Sequence, residues 1–234
     1  KTAYEISLGL VGSEMCIRDR NNNYVLPKDL NEALKNLENS IISSLKLSNN
    51  RYVIEFNFEG LKFNKIGITI YKILANYFNN NKINKKVFIT YSDPGAVALA
   101  QRDYSNIKEN IFTFKGFNES HLVEENDSIL ISILPQPYDF DSFEPMCDKF
   151  KGLHFSLNPK FEDANIGIGS VIRERRKNFV KTWQNIYFLQ PINNGALMHA
   201  YPNNWLLFKE INKRYLSVSY THLRAHETEA DLVC

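Results

Sequence analysis

The stretch of sequence that decides the fold contains, in order, SILISIL (Ser128–Leu134), LHFSL (Leu153–Leu157) and RERR (Arg173–Arg176). The first two segments are nearly continuous apolar runs, as in strands that are covered by helices on both faces. In an open α/β sheet, such strands end at a crevice, and polar loops and helix starts line that crevice. The stretch therefore predicts an open sheet with its polar residues gathered at the carboxyl ends of the strands.

The rest of the chain alternates helices and strands in the same way. Asp29 and Glu32 have the spacing of a capping box at the start of the first helix, and Asn193-Asn194-Gly195 is typical of a hairpin turn. Residues 65–78 fit both a helix and a strand, and their length favours a helix. The predicted strands are 52–58, 86–91, 110–115, 128–134, 153–157, 186–190, 196–201 and 205–209, and the predicted helices are 30–46, 65–78, one from Pro94, one capped by Asp141 and Glu144, and 171–182. This order predicts a three-layer α/β domain with a mixed, mostly parallel sheet and a C-terminal antiparallel hairpin extension.

Both ends of the chain read as translated sequencing-adapter DNA. KTAYEISLGLVGSEMCIRDR (residues 1–20) and VSYTHLRAHETEADLVC (residues 218–234) can be encoded by one DNA element in opposite orientations, including complementary index bases. The first segment is also a poor signal peptide, because it contains acidic residues and lacks a continuous apolar region. We therefore expect a single domain over residues 21–216, a fragment without its own start Met, between non-native tails at residues 1–20 and 217–234.

Composition excludes several classes of protein. The chain has 28 Lys and Arg against 26 Asp and Glu, for a net charge of +2, and it lacks the basic blocks of a nucleic-acid-binding protein. Its apolar runs fall short of the roughly 18 residues of a membrane-spanning helix. Cys16 and Cys234 lie in the two tails, and Cys147 alone cannot form a disulfide framework or a Cys/His metal site. We expect Cys147 in the core, no metal and no cofactor.

The first candidate ligand site is Asp93-Pro94-Gly95, which follows a predicted strand and opens a helix. Free N–H groups at such a helix start can bind an anion. Alternatively, Asp93 is an ordinary N-cap followed by proline at the first helical position. One glycine is not a phosphate-binding fingerprint, and the Asp93 carboxylate would repel a phosphate, so the ordinary cap is favoured.

The second candidate site combines Asn158, which follows a predicted strand, with Arg173 and Arg176 at the start of a predicted helix. Arginine at such a position can bind a carboxylate or phosphate with two hydrogen bonds. The alternative is favoured: one arginine of this helix pairs with a nearby acid, and the others are solvated. The acids considered are Glu162, Asp163 and Glu174.

Trp205 and the histidines give weaker signals. An exposed Trp205 would indicate a partner surface, but its neighbours Leu206 and Phe208 favour a core position. His154 lies in a predicted strand and His199 in a hairpin, and neither has a serine or cysteine at a nucleophile elbow nearby. The sequence therefore assigns no catalytic residue.

Taken together, these segments resemble the DUF1995 family of cyanobacteria and plastids, a family without a settled biochemical activity. The resemblance covers nearly all of residues 21–209. It depends on Leu26-Pro27 before an amphipathic helix, Asp93-Pro94-Gly95-Ala96, Asn158-Pro159, Arg173 with Arg176, Phe179 to Trp183, Tyr187 to Pro191, Gly195-Ala196-Leu197, and Tyr201-Pro202 with Trp205.

The resemblance implies a single α/β domain, and relatives in plants are similar to factors that help photosystem II assemble. The domain also occurs fused to adenylate kinase. The leading expectation is a non-enzymatic accessory protein of the cyanobacterial cytoplasm or thylakoid surface, with thylakoid or photosystem assembly proteins as partners and peripheral membrane contact. The alternative is an enzyme that binds a nucleotide, a phosphate or another small molecule in the crevice near Asp93, Gly95, Asn158, Arg173 and Arg176.

Overall fold

A computed structural model describes residues 25–125, 127–160, 170–211 and 214–220. The helices are α1 (Leu30–Ser44), α2 (Phe63–Asn80), α3 (Pro94–Asp103), α4 (Phe114–Glu119), α5 (Phe140–Lys149) and α6 (Ser170–Val180). The strands are β1 (Arg51–Phe56), β2 (Lys86–Tyr91), β3 (Ile111–Thr113), β4 (Ser128–Ile133), β5 (Leu153–Leu157), β6 (Gln184–Ile192), β7 (Gly195–Ala200), β8 (Trp205–Ile211) and β9 (Arg214–Tyr220). Short 3-10 helices lie at Ser105–Asn110, His121–Glu124 and Pro137–Asp139.

The nine strands form one sheet in the order β3-β2-β4-β5-β1-β6-β7-β8-β9. The first six strands in this order are parallel, and β6, β7, β8 and β9 pair antiparallel in sequence. Apart from β1, which lies between β5 and β6, the parallel strands have the flavodoxin-like order. In this order, β3 is added on one side of β2 and the following strands are added on the other side, so the strand order reverses between β2 and β4. The predicted fold class is confirmed, including the antiparallel extension at the C-terminal end.

Helices cover the parallel strands on both faces, as the continuous apolar runs predicted. Alternate residues of a strand point to opposite faces, so Ile89 and Ile131 face α1, α2 and α3, whereas Phe88 and Leu130 face α4, α5 and α6. The first core contains Leu37, Ile41, Ile66, Ile70, Leu74 and Ala100 from the helices, and the second contains Phe114, Phe117, Phe143, Met146, Cys147 and Phe179. Cys147 is fully buried, as expected.

Local sequence explains the start of α1. Asp29 accepts a hydrogen bond from the backbone N–H of Glu32, at 2.9 Å, and Glu32 in turn accepts from the N–H of Lys28. These two bonds satisfy N–H groups that have no partner within a helix. The ambiguous segment at residues 65–78 is helical, because it lies inside α2 and buries one apolar side.

Two local predictions are wrong. Asp141 and Glu144 do not cap α5: the capping box is formed by Gln136 and Asp139, at the 3-10 turn that runs directly into the helix. Glu144 is instead buried and faces α6, which the spacing of acids along the sequence could not show. The strand predicted over residues 110–115 is wrong in its last two residues, because β3 ends at Thr113 and α4 begins at Phe114.

Strand β9 extends the sheet beyond the predicted elements. It pairs with β8 over Arg214–Tyr220, so the sheet continues past residue 216. Residues 1–24 and 221–234, which include most of both predicted adapter tails, lie outside the described residues. The assignment of these tails stays a prediction.

Candidate functional site

The carboxyl edge of the sheet has two places where neighbouring strands lead to opposite faces. β2 continues into α3 on one face, whereas its neighbour β4 continues into α5 on the other face. Likewise, β1 continues into α2 and its neighbour β5 into α6, which lie on opposite faces of the sheet. Ligands of open α/β proteins bind at such switch points. The side chains that follow these strands therefore decide whether the edge is open or closed.

The edge between β2 and β4 is closed by Asp139. This carboxylate accepts a hydrogen bond from the hydroxyl of Ser92, which follows β2. It also accepts a hydrogen bond of 2.8 Å from the backbone N–H of Gln136, in the loop after β4. Both carboxylate oxygens are thus used to join the two loops. Asp139 was not among the predicted site residues, because only the pairing of β2 with β4 brings Ser92 to it.

Asp93 is an N-cap, as the favoured interpretation expected. Its carboxylate accepts from the backbone N–H groups of Gly95, at 3.1 Å, and Ala96, at 3.0 Å. These are the N–H groups that would otherwise face an anion at the start of α3. The Asp93 carboxylate takes the place that an anionic ligand would need, and Gly95 contributes its backbone to the cap.

Asn158 holds the second switch point together. Its side chain accepts from the backbone N–H of Phe56 and donates to the backbone carbonyl of Phe56, both at 2.8 Å. Asn158 is only 4% exposed and has φ of +47°, a left-handed conformation that asparagine tolerates better than most residues. The side chain predicted to bind a ligand therefore continues the pairing of β1 with β5 beyond the last ladder residue.

The arginines of α6 have three different environments. Arg173 is exposed, and Arg175 pairs with buried Glu144, with 3.0 Å between Nε and the nearer carboxylate oxygen. The guanidinium of Arg176 lies over the ring of Phe140, 4.8 Å from its centroid. Pairing of one arginine with an acid was expected, but its partner comes from α5. Glu162 and Asp163 lie outside the described residues.

The predicted site residues do not form one cluster. Asp93 follows β2 and Asn158 follows β5, with β4 between them, so roughly 10 Å of sheet separates the ends of their strands. Arg176 lines a small cleft with Lys160, which lies two residues after Asn158. Of the five residues, only Arg176 lines this cleft.

A buried Ser–His hydrogen bond was missed by sequence reasoning. The Ser132 hydroxyl lies 2.7 Å from Nε2 of His154, and Thr90 lies 2.9 Å from Ser132 on the next strand. Burial, with a smaller effect of Arg51, lowers the pKa of His154 well below 6.5. Ser132 is 0% and His154 1% exposed, so this pair joins strands inside the core and is out of reach of a substrate. The signal in the sequence was a polar residue inside each of two apolar runs, Ser132 in the first and His154 in the second.

A second group lies on the C-terminal strands, where the sequence singled out Trp205 and His199 but could not show their contact. Trp205 is half-buried and stacks on His199, with ring centroids 5.0 Å apart and planes 12° apart, and it also contacts Phe188. The expected core position of Trp205 is therefore wrong, because its side chain is on the face opposite Leu206 and the first core. His199 approaches the carbonyl of Asn185 at 3.2 Å, and burial lowers its pKa.

Two further findings concern metals and membranes. Within the described ranges, no three His, Cys, Asp or Glu side chains are grouped to hold a metal ion. None of the helices described here is both long enough and apolar enough to span a bilayer.

The fold and its edge define an open, three-layer α/β protein whose switch points are closed by its own side chains. Residues 27–230 match the family model described as "Domain of unknown function (DUF1995)", and the chain belongs to this family. A search among curated proteins gives no significant match.

Proposed function

We propose that this chain is a non-catalytic accessory protein that acts by binding other proteins, and that it serves photosystem II assembly in the cytoplasm or at the thylakoid surface. The observation that carries the binding role is an aromatic surface on β6, β7 and β8. The photosystem setting is supported by the family resemblance in the sequence, through motifs such as Asp93-Pro94-Gly95-Ala96 and Tyr201-Pro202 with Trp205.

The aromatic surface consists of Phe188, Leu197, His199, Trp205 and Leu207. All five point away from the first core, because their neighbours along each strand, such as Leu206 and Phe208, point into it. Helix α1 packs against β6 and β7, and its buried residues belong to the first core, so it covers the opposite face.

The composition of this surface supports protein binding. Phe188 and Trp205 have ring centroids 5.0 Å apart, and Leu197 and Leu207 are half-buried beside them. Aromatic side chains are enriched in the centres of protein interfaces, where they contribute a large apolar area at low cost in conformational entropy. In the part of the chain that the structure describes, none of these four residues belongs to either core cluster.

The experiment is a pull-down from cyanobacterial thylakoid extracts with the tagged full chain, followed by quantitative mass spectrometry. Leu207→Asp places a charge in the aromatic surface, and Leu99→Asp, on exposed Leu99 of α3, is the matched control. We expect photosystem II assembly proteins to be enriched with the unchanged chain and with the control, and to be lost with Leu207→Asp. Thermal unfolding checks that both variants are folded.

Two results would contradict the proposal. Photosystem II assembly proteins at background level with the unchanged chain would remove the photosystem setting. Equal enrichment with Leu207→Asp and Leu99→Asp would show that the aromatic surface is not the binding surface.

The alternative, an enzyme that binds a nucleotide in the crevice, has weaker support. Asp93 and Asn158 already have partners within the fold, and the cleft beside Arg176 has a volume of about 10 Å³. Pockets for drug-sized ligands have volumes of roughly 300–1,000 Å³. The cleft can therefore accept one small group but not a nucleotide.

A further inference from the structure

The apolar side of β6 and β7 continues onto β8 and β9. Alternate residues of a strand point to the same side of the sheet, so Ile211 points to the side of Trp205 and Leu207. Leu216 of β9 pairs with Lys209 of β8 and therefore points to this side as well. Ile211 is 46% exposed and Leu216 is 53% exposed. The aromatic surface, Ile211 and Leu216 together form one apolar side of the sheet, the open face.

Helices α4, α5 and α6 lie on the same side of the sheet as the open face, but they cover other strands. They pack over the second core, whose strand residues come from β2, β3 and β4. Within the part of the chain that the structure describes, this core has no member from β6, β7, β8 or β9. On the opposite side, α1 packs against β6 and β7. An apolar side of a sheet is normally buried under a further layer of structure, so the open face is a candidate binding surface.

The size of the open face argues against a second copy of this chain as its partner. Four strands spaced by about 4.8 Å, and seven residues of β8 at about 3.3 Å each, give an area on the order of 400 Å². Stable dimers bury roughly 800 Å² on each partner. An α-helix of about 14 residues is roughly 21 Å long and 10 Å wide, which matches the length of β8. The open face is therefore large enough for one helix and too small to hold a stable dimer together by itself.

The positions of the apolar side chains favour a helix over an added strand. A strand that joined the sheet at this end would pair with β9, which is the edge strand. Four strand spacings, or roughly 19 Å, would then separate it from Phe188 of β6. The rings of Phe188 and Trp205 have centroids 5.0 Å apart, so a helix that lies on the open face can contact both rings.

The open face also carries a positive charge. Lys209 is exposed and lies between Leu207 and Ile211 on the same side of β8. A partner helix with an acidic residue beside its apolar side would complement this cation.

We propose that the open face binds one amphipathic helix of a partner protein, with the apolar side of the helix on Trp205 and Leu207 and an acidic residue beside Lys209. This inference rests on the proposed function, because it names the kind of partner that the aromatic surface binds. An interface of this size is typical of transient contacts, which suits a factor that releases its partner after assembly.

The first test measures the binding of two synthetic peptides to the full chain by fluorescence anisotropy. Both peptides have about 14 residues and the same composition of Leu, Ala, Gln and Glu. The helix-pattern peptide has Leu at intervals of three and four residues, and the strand-pattern peptide has Leu at every second residue. We expect the helix-pattern peptide to bind at least about tenfold more tightly and to gain helical circular dichroism on binding.

Leu207→Asp should weaken the binding of the helix-pattern peptide at least about tenfold, because the new charge would be buried against the apolar side of the helix. Leu99→Asp, on exposed Leu99 of α3, is the matched control and should change the affinity by less than about twofold. If Leu207→Asp unfolds, Leu216→Asp takes its place, since Leu216 is exposed.

Lys209→Glu tests the charge of the open face. It should weaken the binding of the helix-pattern peptide by about twofold to fivefold, since an exposed ion pair contributes little. A helix-pattern peptide with Lys in place of Glu should bind Lys209→Glu more tightly than it binds the unchanged chain. Lys46→Glu, on exposed Lys46 after α1, is the control for net charge.

The second test identifies the segment of a natural partner that lies on the open face. The photo-crosslinking amino acid benzoylphenylalanine replaces Ile211 or Leu216 in the full chain, and the crosslinked peptides from cyanobacterial thylakoid extracts are mapped by mass spectrometry. We expect crosslinks within one segment of the partner, at positions three or four residues apart. Crosslinks at positions two residues apart would indicate an extended strand and would overturn the proposal.

Equal affinities of the two peptides overturn the proposal, as does equal binding of the helix-pattern peptide to Leu207→Asp and Leu99→Asp. It is also overturned if the unchanged chain sediments as a dimer that Leu207→Asp dissociates, because a second copy would then cover the open face. These results are distinct from a failure of the proposed function. Absence of photosystem partners with intact peptide binding removes only the photosystem setting, whereas a pull-down that depends on Leu207 without a preference between the peptides removes only the helix.

Discussion

Replacing Asn158 by glycine should destabilise the protein by roughly 2–4 kcal/mol. The change removes two buried hydrogen bonds of 2.8 Å to Phe56 and leaves the Phe56 N–H and carbonyl without these partners. Each buried group left unsatisfied costs roughly 1–3 kcal/mol, and partial access of water reduces the sum. Glycine suits the left-handed conformation at φ of +47°, so the loss measures the side chain and not backbone strain.

The measurement is urea unfolding followed by circular dichroism and tryptophan fluorescence. A loss of about 3 kcal/mol lowers the thermal midpoint by roughly 6–12 °C in a domain of this size. Asn158→Ala should be less stable than Asn158→Gly by roughly 0.5–1 kcal/mol, because alanine has a Cβ atom in a left-handed conformation.

Asn158→Asp gives a further check through pH. An ionised aspartate can accept from the Phe56 N–H, but it faces the Phe56 carbonyl without a hydrogen to donate. Its neutral form is favoured in the folded state, so the stability of this variant relative to the unchanged chain should be greatest at low pH and should fall as the pH rises. If Asn158→Gly unfolds within about 0.5 kcal/mol of the unchanged chain, the bridge to Phe56 does not stabilise the fold, and the assignment of Asn158 as a structural residue fails.

The remaining predictions concern packing, a buried ion pair and a buried histidine. Gly195→Ala should cost roughly 1–3 kcal/mol in urea unfolding, because the new Cβ would lie 2.1 Å from a backbone oxygen. A loss below about 0.5 kcal/mol would contradict this packing argument. Arg175→Gln should destabilise the protein by roughly 1–2 kcal/mol, since Glu144 stays buried without its cation. The double variant Arg175→Gln with Glu144→Gln should recover part of this loss. If the double variant loses as much stability as the two single variants added together, the two residues are not coupled. Because burial lowers the pKa of His154, protonation favours the unfolded state below about pH 6.5. On acidification, the unchanged chain should therefore lose stability more steeply than His154→Gln, by up to about 1.4 kcal/mol per pH unit. Parallel profiles of stability against pH for the two proteins would contradict this.

Much of the fold could be predicted from the sequence, because its strongest signals are local. Strands β2, β4 and β5 were recognised from their apolar pattern, helix α2 was recognised from its length, and Asp93 was recognised as an N-cap from the proline that follows it. Apolar periodicity and capping chemistry act between residues that are close in the chain, so they can be read without the tertiary structure.

The candidate site was predicted less well, because hydrogen bonds between distant segments decide it. Asn158 and Phe56 are 102 residues apart, and nothing near Asn158 in the sequence indicates that its amide has a backbone partner. Likewise, Asp139 joins Ser92 only because β2 and β4 are neighbours. Sequence reasoning placed polar residues correctly at the carboxyl edge but could not show which of them the fold itself uses.

By itself, the sequence determined the layered α/β class, the parallel strands and the antiparallel extension, since the burial pattern of each segment follows from its own residues. Only the tertiary structure decided the strand order and the closure of both switch points. The physical reason is that hydrophobic burial depends on the type of each residue, whereas a hydrogen bond or an ion pair depends on which partner the folded chain brings within about 3 Å.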